Sequence, residues 1–354
     1  MSSDCPNLDT WHGGRSSAAL DPREPRDRSK ADLMQRFKNI LVVYNSAVGD
    51  EATLARAAAV ARRNAARLTV TTVLEEPGAD ERNVVVEERR QHLERLIASI
   101  RHDGIQADTT VLVGTPFLEI TRAVLRDGHD LVMMTAEGPL GLKRLLFGST
   151  SMHLMRKCPC PVWVTRGLPR SYTGILAAVD PSVATEERDR LNRTILALGS
   201  SLARLEQCEL HVVHTWEFTG KDLDTSRSEI TQEILNGLIR RNEAPRKERL
   251  DALLAEHDLG SVSHEIHLLQ GQPELAIPEL ARKKEIELIV MGTICRTGVP
   301  GLFIGNTAET VLRLVDCAVL TVKPRGFVTP VTDEHGLPIR SGQAGTEQDG
   351  PNQQ

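Results

Sequence analysis

Short apolar runs rich in Val, Ile and Leu alternate with longer amphipathic stretches from Lys38 to Lys323. Lys38–Tyr44 has the near-continuous apolar character of a strand buried in a parallel sheet. Asp50–Arg67 is Ala-rich with apolar residues at 54, 57, 58 and 61, which predicts a helix. Leu68–Leu74 reads as a second strand. Glu81–His102 reads as a charged helix with Val85, Leu93, Leu96, Ile97 and Ile100 on one face, stopped by Asp103-Gly104. A third strand follows at Ala107–Val113. Pro116 starts a helix that ends at Asp127-Gly128. Asp130–Thr135 is a fourth strand, Ala136–Gly148 a loop, Ser149 or Thr150 the cap of a helix to Lys157, and Pro161–Thr165 a fifth strand. Alternating strands and helices predict an α/β layer on a mainly parallel sheet.

The order then repeats. Strands are expected at Gly174–Asp180, Glu209–Trp216, Val262–Leu269, Ile286–Met291 and Cys317–Lys323. Helices are expected at Thr185–Leu205, Arg227–His257, from Pro273, and at Thr307–Val315. At an offset of 157 residues, Gly114 meets Gly271, Pro116 meets Pro273, Met134 meets Met291, Gly148 meets Gly305, Thr150 meets Thr307 and Arg156 meets Arg313. This is an internal duplication. The expected organisation is a disordered tail over 1–36, one domain over 37–167, a second over 172–325 and a disordered tail over 326–354.

The 354 residues carry a net charge of −5 without a basic block, so nucleic acid is not an expected partner. No apolar run is long enough for a membrane span, and Met1–Lys30 lacks a signal-peptide core, so a soluble, cytoplasmic chain is expected. The six cysteines form no Cys-x-x-Cys pair and read as reduced thiols.

Candidate chemistry lies where strands end. An apolar run closes at Met291-Gly292, and glycines follow at 298, 301 and 305 before Asn306-Thr307 opens a helix. Such a strand, glycine loop and helix N-terminus suits an anion, because backbone amides approach closely and the helix dipole favours negative charge. The plainer reading is a connection capped by Asn306. Asp180, at the end of its strand, could accept hydrogen bonds from a ligand or make an Asx turn; both readings stay open. The first copy differs: Asn45 stands for Asp180, Thr135 for Gly292, and Glu137 sits inside the loop. The second loop has no acid and carries Arg296, so the second unit is the better phosphate site. His211 and His214 lie three apart on one strand, as do His264 and His267. Such residues point to opposite faces, so neither pair is assigned a metal. No nucleophile–base pair occurs at local spacing, and no catalytic residue is assigned.

Met291-Gly292, Cys295, Gly298 and Gly305-Asn306-Thr307-Ala308-Glu309, with Val179-Asp180 and the copy at Thr150–Trp163, resemble the universal stress protein family, tandem type. That family's loop carries two spaced glycines and then Gly-Ser or Gly-Thr. The resemblance covers about residues 36–325. It implies two tandem doubly wound domains of the adenine nucleotide alpha hydrolase type, each a five-stranded parallel sheet in the order 3-2-1-4-5. It also implies a cytoplasmic stress-response role with ATP, accompanied by Mg, in the second unit at Asp180, Thr215, Met291, Gly292, Gly305, Asn306 and Thr307. The first-unit equivalents are Asn45, Val73, Gly138, Gly148 and Ser149, and this unit is expected to be degenerate. Cys295 replaces the motif's second glycine and Asn306 its Ser or Thr. An apolar ligand or lipid, or a scaffold for protein contacts, is the alternative; slow ATP hydrolysis is a weaker one. The fifth strands, Pro161–Thr165 and Val319–Lys323, are expected to pair edge to edge within the chain. Whether whole chains form a homodimer stays open.

Overall fold

The computed structural model describes residues 37–75, 78, 81–136, 147–166, 171–182, 185–217, 232–260, 262–293 and 305–332. The first unit comprises β1 (Asn39–Val43), α1 (Asp50–Asn64), β2 (Arg67–Leu74), α2 (Arg82–His102), β3 (Ala107–Val113), α3 (Pro116–Asp127), β4 (Leu131–Thr135), α4 (Ser149–Lys157) and β5 (Val162–Thr165). The second comprises β6 (Gly174–Ala178), α5 (Glu186–Glu206), β7 (Glu209–Trp216), α6 (Gln232–Ala255), β8 (His264–Gln270), α7 (Pro273–Lys283), β9 (Leu288–Gly292), α8 (Asn306–Leu314) and β10 (Ala318–Val322).

All strands join one sheet in the order β3-β2-β1-β4-β5-β10-β9-β6-β7-β8. Each half therefore has the expected 3-2-1-4-5 order and is parallel throughout. The halves meet where β5 and β10 pair antiparallel, with Leu320 opposite Trp163. Two apolar cores result, one on each face, and both run through both units. Leu54, Leu93, Leu196 and Leu250 belong to one core; Ile120, Leu154, Ile277 and Val311 belong to the other. Trp163, at the seam, is fully buried.

A polar contact also crosses the seam. Arg56 on α1 pairs with Glu206 at the end of α5, and its guanidinium lies 3.8 Å from the ring centre of Tyr172. Glu206 also accepts the Tyr172 N–H at 3.0 Å.

Pro116 and Pro273 both stand at a helix start, where a missing N–H costs nothing. Gly128 ends α3 in the left-handed region, φ 68°, as the sequence suggests. The end of α1 differs from expectation. The helix stops at Asn64, not Arg67, because Ala65 adopts φ 46° and closes it without a glycine. Residues 326–332, expected in a tail, are ordered: Val331 is buried, and the Thr332 carbonyl accepts from Arg122 Nε at 3.0 Å. Residues 1–36 and 333–354 lie outside the described residues.

Candidate functional site

The ends of β6, β7 and β9 and the start of α8 enclose a cleft of about 330 Å³ in the second unit. Asp180, Thr215, Met291, Gly292, Gly305, Asn306 and Thr307 all line it. Its walls are completed by Leu191, Ile195 and Ile277, with Arg188 and Asn192 as polar additions.

Asp180 follows β6 directly. Its N–H donates to Asn192 Oδ1 at 2.9 Å, and its carbonyl accepts from Asn192 Nδ2 at 3.0 Å. Its carboxylate does two things. Oδ1 accepts the Ser182 N–H at 3.2 Å and the Ser182 hydroxyl, which is an Asx turn. Oδ2 lies 3.6 Å from the Arg188 guanidinium. The Asx turn is thus formed by a residue that also lines the cleft. Thr215 lies late in β7, beside His214, whose Nδ1 is 3.2 Å from the Val179 carbonyl.

Gly292 ends β9 against α5. A β-carbon at this position would stand 2.7 Å from Leu191 Cδ2. Beyond it, the Gly305 N–H donates to the Thr293 carbonyl at 3.3 Å. Gly305, not Asn306, caps α8, and among the described residues no side-chain cap hydrogen bond forms there. Asn306 is instead the first helical residue. Backbone N–H groups in a helix's first turn lack intrahelical acceptors, so this end of the cleft offers donors. Similarly Gly148 caps α4, displacing Ser149 and Thr150 from that role.

Lys323, at the end of β10, reaches under this corner. Its amine donates to Thr293 Oγ1 at 2.6 Å and to the Met155 and Arg156 carbonyls of α4 at 2.6 and 3.0 Å. Burial pushes its pKa down to about 7. Glu309 of α8 joins Arg156 of α4 at 2.6 Å, so the glycine-capped helix is tied to the first unit.

The first unit is arranged differently. The Asn45 N–H donates to Asp50 Oδ2 at 2.8 Å, and Asn45 Oδ1 accepts from Thr72 at 3.2 Å. Val73 packs half-buried against the core, and Ser149 is exposed. Thr135, the copy of Gly292, bonds Thr53 at 2.8 Å, and Thr53 bonds Thr165. Three buried hydroxyls therefore stand where the second unit packs Leu191 against Gly292. Glu137, Gly138, Cys295 and Arg296 lie outside the described residues.

Arg188, Leu191 and Asn192 escaped the sequence reading. Asn192 carried the one signal available, a polar residue between Leu191 and Ile195 on an otherwise apolar face. Cys158, Cys160, Cys208 and Cys317 are free thiols, with the Cys158 and Cys160 sulfurs 3.5 Å apart. Among the described residues, no helix is long and apolar enough to cross a membrane.

A duplicated, doubly wound sheet with a strand-end cleft defines a class of tandem α/β proteins. A profile of the universal stress protein family matches residues 36–166 and 171–323, and the chain belongs to that family. It is similar to Universal stress protein E of Escherichia coli K12, 29% identical over 318 residues, covering 84% of this chain and 98% of the relative. The Universal stress protein E homolog of Haemophilus influenzae is 28% identical, covering 82% and 98%. Among solved structures, the functionally unknown protein PA1789 of Pseudomonas aeruginosa superposes with a TM-score of 0.66 at 26% identity, covering 83% of this chain and 95% of that one.

Proposed function

We propose that the second unit binds ATP or a related adenine nucleotide, and that the first unit is a degenerate, structural copy. The observation that carries this reading is the convergence of Asp180, Gly292, Gly305 and the first turn of α8 on one cleft. The residues fit such a ligand. Asp180 and Thr215 supply hydrogen-bonding groups for the nucleoside, and Leu191, Ile195 and Met291 supply apolar surface for a base. The α8 N-terminus supplies donors for phosphate, which would bring its own Mg²⁺. The first unit carries a threonine, Thr135, in place of the glycine and lacks the acid at Asn45. Binding would regulate a cytoplasmic stress response by favouring one conformation or partner surface, which requires unequal affinity for the two states.

Calorimetry with Mg-ATP tests the reading. Binding is expected in the wild type and is expected to vanish in Asp180→Ala. No heat, together with no ATP retained in equilibrium dialysis at millimolar ligand, would reject it. The apolar walls also suit a lipid-like ligand, which mass spectrometry of an extract from natively purified protein would reveal.

A further inference from the structure

The edge of the sheet in the second unit holds a cluster that the cleft does not use. β7 and β8 pair in parallel with His211 opposite Glu265 and Val213 opposite His267. Histidines three apart on one strand diverge, so neither within-strand pair can share a metal, but residues on adjacent strands can face one another. His211, Glu265 and His267 share one face, and one ligand atom from each lies within 4.8 Å of the others.

The geometry is close. His211 Nδ1 is 3.0 Å from His267 Nε2, and the rings are stacked with centres 5.3 Å apart. Glu265 Oε2 is 3.5 Å from His211 Nδ1 and 3.9 Å from His267 Nε2. Two nitrogens on one tetrahedral zinc sit about 3.3 Å apart, given bonds of about 2.05 Å. Small side-chain adjustments would bring both onto one ion.

A simpler arrangement uses the same atoms: a hydrogen bond between two neutral rings beside an ion pair from Lys284 to Glu265. Two neighbours favour the fuller reading. Glu209 Oε2 lies 3.4 Å from His211 Nε2, on the far side of the ring. A carboxylate there holds the proton on Nε2 and leaves the Nδ1 lone pair facing the cluster, as behind metal-bound histidines. Lys284 Nζ sits 2.7 Å from Glu265 Oε2, so the carboxylate already takes a cation at the solvent-facing rim. The rings are also ready to ligate. Both are 3% exposed, so little water competes for their nitrogens.

We propose that His211, Glu265 and His267 bind a borderline divalent transition-metal cation of the zinc type. Glu209 orients His211, and Lys284 is the displaceable cation that competes for Glu265. Three protein ligands leave a coordination position for water, and two imidazoles with one carboxylate match zinc rather than magnesium or calcium.

The test uses the full-length chain, stripped with a chelator and titrated with Zn²⁺ against a chromogenic competitor. Co²⁺ serves as the spectroscopic probe of tetrahedral nitrogen–oxygen ligation. One Zn²⁺ is expected per chain at this site, lost in His267→Asn. Glu209→Gln is expected to weaken binding about 10-fold. Lys284→Ala is expected to tighten binding, and this variant keeps both buried rings, so it stays informative if His267→Asn fails to fold. No uptake by the wild type and Lys284→Ala overturns the proposal. So does binding that survives His267→Asn, or a thiolate-type Co²⁺ spectrum abolished by Cys158→Ser.

Discussion

Leu191 Cδ2 stands 2.7 Å from where a β-carbon on Gly292 would project, so α5 packs directly onto the backbone at the end of β9. The contact sets the floor of the cleft. Gly292→Ala must push Leu191 into the cleft or lift α5. Overpacking of this kind costs about 1–3 kcal/mol. Urea denaturation should show the loss, and ATP calorimetry should show weaker binding. Adding Leu191→Ala should relieve the clash and recover part of the affinity. Unchanged stability and binding in Gly292→Ala would refute this steric role.

Thr135 is the mirror case. Its hydroxyl, Thr53 and Thr165 form a buried chain where the second unit packs Leu191 against a glycine. Thr135→Val removes one hydroxyl while Thr53 keeps its bond to Thr165, so the expected cost is about 0.5–1.5 kcal/mol. Thr135→Gly opens the space as well, yet it is not expected to create nucleotide binding, because Asn45 still replaces the acid. ATP binding appearing in that variant of an Asp180→Ala background would show that steric filling, not the missing acid, silences the first unit.

The fold was legible because its signals are local and doubled. Apolar strands, Pro116 and Pro273 at helix starts, and the aligned glycines at 148 and 305 each repeat one residue's logic in two places. The seven second-unit site residues could be placed together because strand ends converge in any doubly wound sheet. What escaped were relations set by packing. Nothing near Ala65 marks a helix end, since its left-handed φ of 46° is imposed by the turn into β2. Arg188 and Asn192 join the cleft only because α5 lies over β6. His211 meets His267 only through the β7–β8 register, which the spacing of histidines within a strand does not encode.

Arg56 and Glu206 join the two units through a pair whose side chains are only 7% and 11% exposed. Breaking a buried ion pair by removing one partner typically costs about 3–5 kcal/mol, so Glu206→Ala should lower stability by up to about that amount. Glu206→Gln keeps an acceptor for the Tyr172 N–H and should cost less. Double substitution to apolar residues should recover much of the loss. Additive losses in that cycle, measured by urea unfolding, would mean that the pair does not couple the units.

Acid should weaken the second unit through His267. Burial lowers its pKa in the folded chain to about 4, against about 6.5 when unfolded, with His211 lowered in the same direction. A histidine depressed by folding binds its proton more readily in the unfolded chain. Its contribution is therefore fully present above the unfolded value. It is lost as pH falls through about 6.5 toward 4. Burial also lowers the pKa of His129 in the first unit, adding to the slope. His267→Gln removes one titrating group, so its stability, lower at pH 7, should fall less steeply between these limits. Urea midpoints measured across that range check the slope. Parallel pH profiles for the variant and the wild type would show that His267 is not depressed by burial in the folded chain.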